Sequence, residues 1–299
     1  MKQPISHPMS SFDEALARIE RIQSRDGEHV QPACQTQLMS HGQKAKRAIV
    51  FFHGFTSCPR QFFHLGEAFF QRGYNVFIPR EENHGHADMM TDALVKLSAE
   101  KMIDEASRAV DITCALGEQV FVVGLSMGAT AAAWIAQNRA DVERCVIIAP
   151  PFEVEAIPRF IHRLFTQLIL AMPVFFVWWD PRLKADNTNR PPYSYPRYPS
   201  RALAQNWALA YHIRDEAKKH APSAKHIVLV TNANDHVIRN SAVVELFDNW
   251  KRRAPNRVSH FQFPRELKLR HDMASVESPG QKIDIAYPKL IELIERVEK

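Results

Sequence analysis

Gly124-Leu125-Ser126-Met127-Gly128 follows an apolar β-type run, Gln119-Val120-Phe121-Val122-Val123, and leads into a small-residue helical pattern from Ala129 to Ala136. A strand, a sharp turn and a helix around G-x-S-x-G describe a nucleophile elbow. The glycines let two backbone segments cross closely beside a strained serine. That serine then stands at the top of a sheet, over a helix N-terminus. The stretch therefore predicts an α/β fold with Ser126 as candidate nucleophile.

The chain on either side fits a parallel sheet. Ala48-Ile49-Val50-Phe51-Phe52 is a continuous apolar run, as a strand buried on both faces requires. Helical periodicity follows from Pro59 to Gln71, with Phe62, Leu65, Gly66, Phe69 and Phe70 inward; Pro59 suits a first helical position and Gly73 a stop. Next come a strand at Asn75–Ile78, a polar loop from Arg80 to Asp92, a helix from Ser98 to Leu116, and beyond the elbow a strand at Arg144–Ile148. Such alternation predicts parallel strands with helical crossovers. Upstream, Ser11-x-x-Glu14 reads as a capping box opening a helix from Phe12 to Ile22, with Ala15, Ile19 and Ile22 on one side. Val30 to Met39 is a weak strand candidate.

At Pro150 the alternation breaks. An aromatic segment, Phe160 to Trp179, and a Pro-rich stretch, Arg190 to Ser200, are too long and irregular for a βα connection. They predict an inserted cap. The pattern resumes with a helix from Arg201 to His220, a strand at Ile227–Val230, a helix from Ala242 to Arg253 and a strand at Val258–Phe263. Pro288 opens a last helix, with Leu290, Ile291, Ile294 and Val297 inward. The expected organisation is residues 1–150 as the first half of the core, 151–200 as the cap and 201–299 as the second half.

The 299 residues are 45% hydrophobic and 24% charged, an ordinary globular balance. The net charge of +5 is scattered rather than striped among aromatics, so nucleic acid is not an expected partner. Cys34, Cys58, Cys114 and Cys145 have no CxxC or metal-type spacing and read as reduced, buried thiols of a cytoplasmic protein. Met1 to Glu20 contains no apolar h-region, and no run of about 18 apolar residues occurs, so neither a secretory signal nor stable membrane insertion is expected. His84-x-His86 lacks further ligands at sensible spacing; a loop-holding role is expected and no metal.

A serine hydroxyl needs an adjacent base, and histidine, with a pKa near 6.5, accepts the proton and returns it to the leaving group. An acid fixes the imidazole tautomer. Behind a G-x-S-x-G elbow the chain order is Ser, acid, His. Asp235 lies just past the strand ending at Val230, and His271 shortly past the strand ending at Phe263. Both occupy strand C-terminal ends, where open α/β sheets place their sites. Read singly, one is a loop turn and the other a surface histidine; the elbow favours acid and base. Asp180, inside the insert, ranks second as acid.

The developing oxyanion needs donors. These are the backbone N–H of Met127 and that of Phe55, in His53-Gly54-Phe55-Thr56. His53 itself reads as structural, and Cys58 as buried. His236 and Asp272 flank the proposed acid and base and face solvent or tune the local field. In the cap, Phe165, Trp178 and Trp179 are candidates to line an apolar substrate pocket. Packing against the main domain is the plain alternative. A membrane-touching lid ranks last, because His162 and Arg163 interrupt the apolar face.

With the elbow, the His-Gly loop, the strand order, the late Asp and His, and Asn83-His84-Gly85-His86, the chain from Ala48 onward resembles the α/β-hydrolase fold family, in its bacterial carboxylesterase and monoacylglycerol-lipase-like branch. Ala129 stands where many members carry a further glycine. The cap, with Trp178-Trp179-Asp180-Pro181 and Tyr193-Ser194-Tyr195-Pro196, does not by itself name a substrate. The resemblance implies a mostly parallel sheet flanked by helices. It also implies nucleophile Ser126, acid Asp235, base His271, oxyanion N–H groups of Phe55 and Met127, and no cofactor. The expected substrate is a short- to medium-chain ester or a monoacylglycerol-like lipid. A thioesterase or peptidase with the same machinery, and a non-catalytic binding protein of this fold, are the alternatives.

Overall fold

A computed structural model describes residues 7–185 and 189–296. Helix α1 (Phe12–Gln23) starts at Ser11, whose Oγ accepts the Glu14 N–H at 3.1 Å. The Glu14 carboxylate reaches the Ser10 N–H at 2.9 Å rather than that of Ser11, so the box closes one residue early. Ala15 and Ile19 are buried and Ile22 is half-buried. Strand β1 (Gln37–Met39) is short and precedes β2 (Ala45–Phe52). The predicted Pro59 helix divides into a 3₁₀ turn, Pro59–Phe62, and α2 (Phe63–Phe70). Then follow β3 (Tyr74–Ile78), α3 (Ala99–Leu116), β4 (Gly117–Leu125), α4 (Met127–Asn138) and β5 (Val142–Ile148).

Between β5 and the next core helix lie α5 (Arg159–Ala171), β6 (Phe176–Trp178) and β7 (Arg197–Pro199). Strands β6 and β7 pair antiparallel as a separate two-stranded sheet. The segment between β5 and α6 is therefore more regular than its proline content suggests. The remaining elements are α6 (Ser200–Ala217), β8 (His226–Asn232), α7 (Asn240–Arg253), β9 (Val258–Phe263) and α8 (Ile283–Glu295). Helix α8 begins five residues before the expected Pro288, which sits inside it. A proline there removes one backbone hydrogen bond, while Ala286, Leu290, Leu293 and Ile294 stay buried against the core. Val297 and the first six residues of the expected leader-free N-terminus lie outside the described residues.

The main sheet has the order β1-β3-β2-β4-β5-β8-β9. Every pairing is parallel except that of β1 with β3. This is the mostly parallel α/β-hydrolase architecture. From Ala48 to Phe52 and from Val120 to Leu125 every residue is buried, because helices cover both faces. The parallel arrangement brings the C-terminal ends of β2, β4, β8 and β9 to one edge.

The expectation of four reduced thiols is corrected. Cys34 and Cys58 form a disulfide, and Cys114 and Cys145 are free. The reading of a reducing compartment from cysteine usage thereby loses its premise. Among the described residues no helix is long and apolar enough to cross a membrane.

Candidate active site

Ser126 sits between β4 and α4 with φ 56° and ψ −122°, a backbone region that costs a non-glycine residue on the order of 1–3 kcal/mol. Close packing holds it there. A Cβ on Gly124 would lie 2.2 Å from the Gly128 carbonyl oxygen, and one on Gly128 would lie 2.1 Å from that of Phe52. Only glycine lets the start of α4 cross β4 and the end of β2 so closely. The Ser126 N–H donates to the Ile148 carbonyl at 2.9 Å, fixing the turn to β5.

His271 reaches the site from the loop after β9. Its Nε2 lies 2.9 Å from Ser126 Oγ, and its Nδ1 lies 2.6 Å from Asp235 Oδ2. These partners assign the tautomer: Nδ1–H donates to the carboxylate, and Nε2 accepts the serine hydroxyl proton. Asp235 is almost fully buried, and its other oxygen accepts the Val237 N–H at 2.9 Å. Burial alone would raise the Asp235 pKa, but the adjacent imidazole and these hydrogen bonds outweigh it, holding the carboxyl below its ordinary value. Burial likewise opposes charge on His271; the charge and hydrogen bond of Asp235, with a contribution from Asp272, prevail and raise its pKa. The second-ranked acid, Asp180, is instead held by Arg182 at 2.6 Å. Asp272 accepts the Ala274 and Ser275 N–H groups, each at 3.1 Å.

Two asparagines that the sequence reading passed over tie these loops together. Asn232 Nδ2–H donates to the Leu269 carbonyl at 2.9 Å, and Asn234 Nδ2–H to the same carbonyl at 3.0 Å. They set the distance between the Asp235 and His271 loops. Their only signal was a pair of amides beside the candidate acid, in Asn232-Ala233-Asn234-Asp235.

The backbone N–H groups of Phe55 and Met127 have no protein partner among the described residues; Met127 directly follows Ser126 at the start of α4, and Gly54, the residue before Phe55, lies against Ser126, whose Cβ would be 3.4 Å from a Cβ placed there. The Phe55 loop is fixed from behind. Gly54 N–H donates to Gln61 Oε1 at 2.7 Å; His53 Nδ1–H donates to the Gly54 carbonyl at 3.1 Å, and its Nε2 accepts the Glu81 N–H at 3.2 Å. Burial lowers the His53 pKa to about 4, so the ring is neutral and structural at neutral pH. His84 packs edge-on to His53 with ring centroids 5.0 Å apart, and the His86 N–H donates to the Tyr195 hydroxyl at 2.8 Å. His53, Glu81 and His84 bring three potential ligand atoms within 4.8 Å of one another, a convergence invisible in the spacing. The His53 lone pair a metal would need is already taken by the Glu81 N–H.

Ser126 and His271 open into a cavity of about 640 Å³ walled in part by the segment between β5 and α6. Phe165 and Ile169 of α5, Leu203 and Trp207 of α6, and Phe175, Val177 and Trp179 around β6 form its apolar wall. Trp178 does not line it. Side chains alternate along a strand, so with Phe175, Val177 and Trp179 facing the cavity, Phe176 and Trp178 point the other way. Trp178 instead lies under Lys184 Nζ, 5.8 Å from the ring centroid. The α5 face is corrected in part. His162 is buried, bonded to the Tyr211 hydroxyl at 2.9 Å, and does not interrupt the outer face, whereas Arg163 is exposed, as expected, and pairs with Asp215 at 2.9 Å. Phe160, Leu164 and Leu168 are 89%, 69% and 54% exposed, so they neither pack on the main domain nor line the cavity.

The family profile described as "Serine aminopeptidase, S33" matches residues 43–259. A thermostable monoacylglycerol lipase from Bacillus sp. (strain H-257) is 31% identical over 111 residues, which cover 36% of this chain and 42% of that protein. The chain thus matches less than half the length of that relative. Among solved structures, a metagenome-derived lipolytic enzyme (from a description of LipS and LipT) superposes with a TM-score of 0.67 at 15% identity, covering 89% of this chain and 98% of that one. The monoacylglycerol lipase of Paleococcus ferrophilus gives 0.64 at 16% identity over 87% and 98%. A soluble variant of the Saccharomyces cerevisiae monoglyceride lipase gives 0.67 at 12% identity over 87% and 91%. At these identities the structures speak for the fold, and the profile, which spans most of the chain, for the family. The chain belongs to the α/β-hydrolase family described by that profile as serine aminopeptidase, S33.

Proposed function

We propose that this chain is a serine esterase that cleaves carboxylic esters, with medium-chain monoacylglycerol-like lipids as the substrate class. The observation that carries the proposal is the hydrogen-bonded line Ser126–His271–Asp235 at the floor of an apolar cavity. Ser126 Oγ attacks the ester carbonyl while its proton passes to His271 Nε2. His271 then gives that proton to the departing alkoxide, leaving an acyl-enzyme. Water, deprotonated by the same nitrogen, attacks the acyl group and releases the acid. Asp235 holds the imidazole in the required tautomer and offsets its transient positive charge. The N–H groups of Phe55 and Met127 stabilise the tetrahedral oxyanion.

The cavity wall supports an acyl chain as the occupant. An aminopeptidase would need a free carboxylate for the substrate ammonium. Asp180 is engaged by Arg182, and Asp272 by two backbone N–H groups, so ester substrates are favoured over peptides. The names of the Bacillus and Paleococcus relatives point the same way.

The test is hydrolysis of p-nitrophenyl esters from C2 to C16 and of monoacylglycerols, by wild type and Ser126→Ala. A preference for medium chains, with loss of at least about 10³-fold on substitution, is expected. Preference for thioesters or aminoacyl amides, or activity that survives Ser126→Ala, would refute the reading.

A further inference from the structure

Gln61 lies in the 3₁₀ turn Pro59–Phe62 and is buried, although an amide side chain is usually at the surface. Its Oε1 accepts the Gly54 N–H at 2.7 Å, and that bond assigns the amide: the other end is the NH₂ group. Nε2 has no protein partner among the described residues and is not closed off by protein, so it opens to the cavity that Gln61 lines. A Cβ placed on Gly54 would lie 3.6 Å from Nε2 as well as against Ser126 Cβ, so the amide stands beside the nucleophile. Fixing Gly54 needs only an acceptor. The two N–H bonds of the amide are surplus to that task, and a donor that loses water without gaining an acceptor costs free energy.

The neighbours of Gln61 say which half of a substrate it meets. Arg60, the preceding residue, pairs with Glu277 at 2.7 Å and ties the turn to the segment that follows His271. Asp272, Ser278 and Pro279 of that segment line the same cavity. The apolar wall comes instead from α5, α6 and the residues around β6. His271 Nε2–H must reach the leaving oxygen to protonate it, so the alcohol half of an ester lies on the His271 side and the acyl chain against the apolar wall. We propose that Gln61 is a specificity-determining residue whose Nε2–H donates to the alcohol half of the ester. The leaving oxygen itself is served by His271. The acceptor is therefore a further oxygen of the alcohol, the ether or hydroxyl oxygen that a vicinal diol carries on the next carbon. This inference rests on the esterase reading and narrows it, from esters at large to esters of glycols and other polyols over those of simple alkanols.

The experiment compares the butyl and 2-methoxyethyl esters of octanoic acid in wild type, Gln61→Met and Gln61→Glu. The two esters share an acyl group and differ by one CH₂ replaced by an oxygen that can only accept. After division by the same ratio for hydroxide hydrolysis, wild-type kcat/KM is expected to favour the 2-methoxyethyl ester about fivefold, the worth of one neutral hydrogen bond. Gln61→Met removes the donor and the Gly54 acceptor together. Any disturbance of Gly54 slows both esters alike, so the preference reads the donor alone, and it is expected to fall below about twofold. Gln61→Glu keeps an oxygen for the Gly54 N–H and puts a second oxygen where the NH₂ stood; it is expected to lose the preference as well. No preference in wild type, or one that survives in either variant, would overturn the inference. Wild type that cleaves neither ester would overturn the esterase reading and this inference with it. Cleavage of both esters without the preference would overturn the inference alone.

Discussion

Asp235→Asn is the substitution whose effect the geometry sets most tightly. The carboxylate oxygen lies 2.6 Å from His271 Nδ1, and the two side chains are 0% and 20% exposed. In the transition state the imidazole carries a positive charge about 4 Å from the carboxylate charge centre. At an effective dielectric constant of about 20 that attraction is about 4 kcal/mol, or a factor on the order of 10³ in rate. An asparagine can also turn its NH₂ toward Nδ1. The ring proton then sits on Nε2, which can no longer accept from Ser126 Oγ. The combined loss in kcat/KM is expected at about 10³–10⁴-fold.

The pH profile carries the sign. The base must be neutral to act, so the rising limb follows His271, whose pKa Asp235 raises above the ordinary 6.5. Without that charge, burial dominates over the smaller push from Asp272 and moves the limb to lower pH. The assay is kcat/KM on a soluble p-nitrophenyl ester from pH 5 to 9. A variant that keeps more than a tenth of wild-type activity, or a limb that stays or moves upward, would refute the reasoning.

Gly128→Ala places a Cβ 2.1 Å from a backbone carbonyl oxygen, which cannot swing away, so urea unfolding is expected to show a loss of about 3 kcal/mol or more; a loss below about 1 kcal/mol would contradict the close crossing. Phe160, Leu164 and Leu168 form an exposed stripe on α5, and changing all three to Ser is expected to cut hydrolysis of aggregated monoacylglycerol about tenfold while a soluble short ester changes less than about twofold. Cys34→Ser opens a cross-link of sequence separation 24 and is expected to cost about 3 kcal/mol in denaturant unfolding, a loss that a reductant reproduces in wild type and does not add to the variant.

The parts most legible in the chain were those with a single physical solution. Ala48–Phe52 and Val120–Val123 are apolar throughout because helices cover both faces of their strands. Gly124 and Gly128 are required by close backbone crossings. That Asp235 and His271 meet Ser126 was legible from position, since parallel strands carry their C-terminal ends to one edge. What stayed hidden depends on facts that periodicity does not carry. The spacing of Phe160, Leu164 and Leu168 defines a helix face but not what covers it. Whether Val177 or Trp178 faces the cavity depends on the register of a three-residue strand. The Cys34–Cys58 pair and the His53–Glu81–His84 convergence arise from loops distant in sequence that only the fold brings together. The Asn232 and Asn234 bonds to Leu269 act through a backbone carbonyl, which no side-chain pattern marks.

The central claim is that Ser126 is a nucleophile activated by His271. Mass spectrometry of the protein after treatment with a fluorophosphonate tests it most directly. The account predicts one phosphonyl adduct per chain, mapped to the peptide that contains Ser126, absent from Ser126→Ala and formed far more slowly in His271→Ala. An unmodified protein, or an adduct on another residue with Ser126 unlabelled, would contradict it.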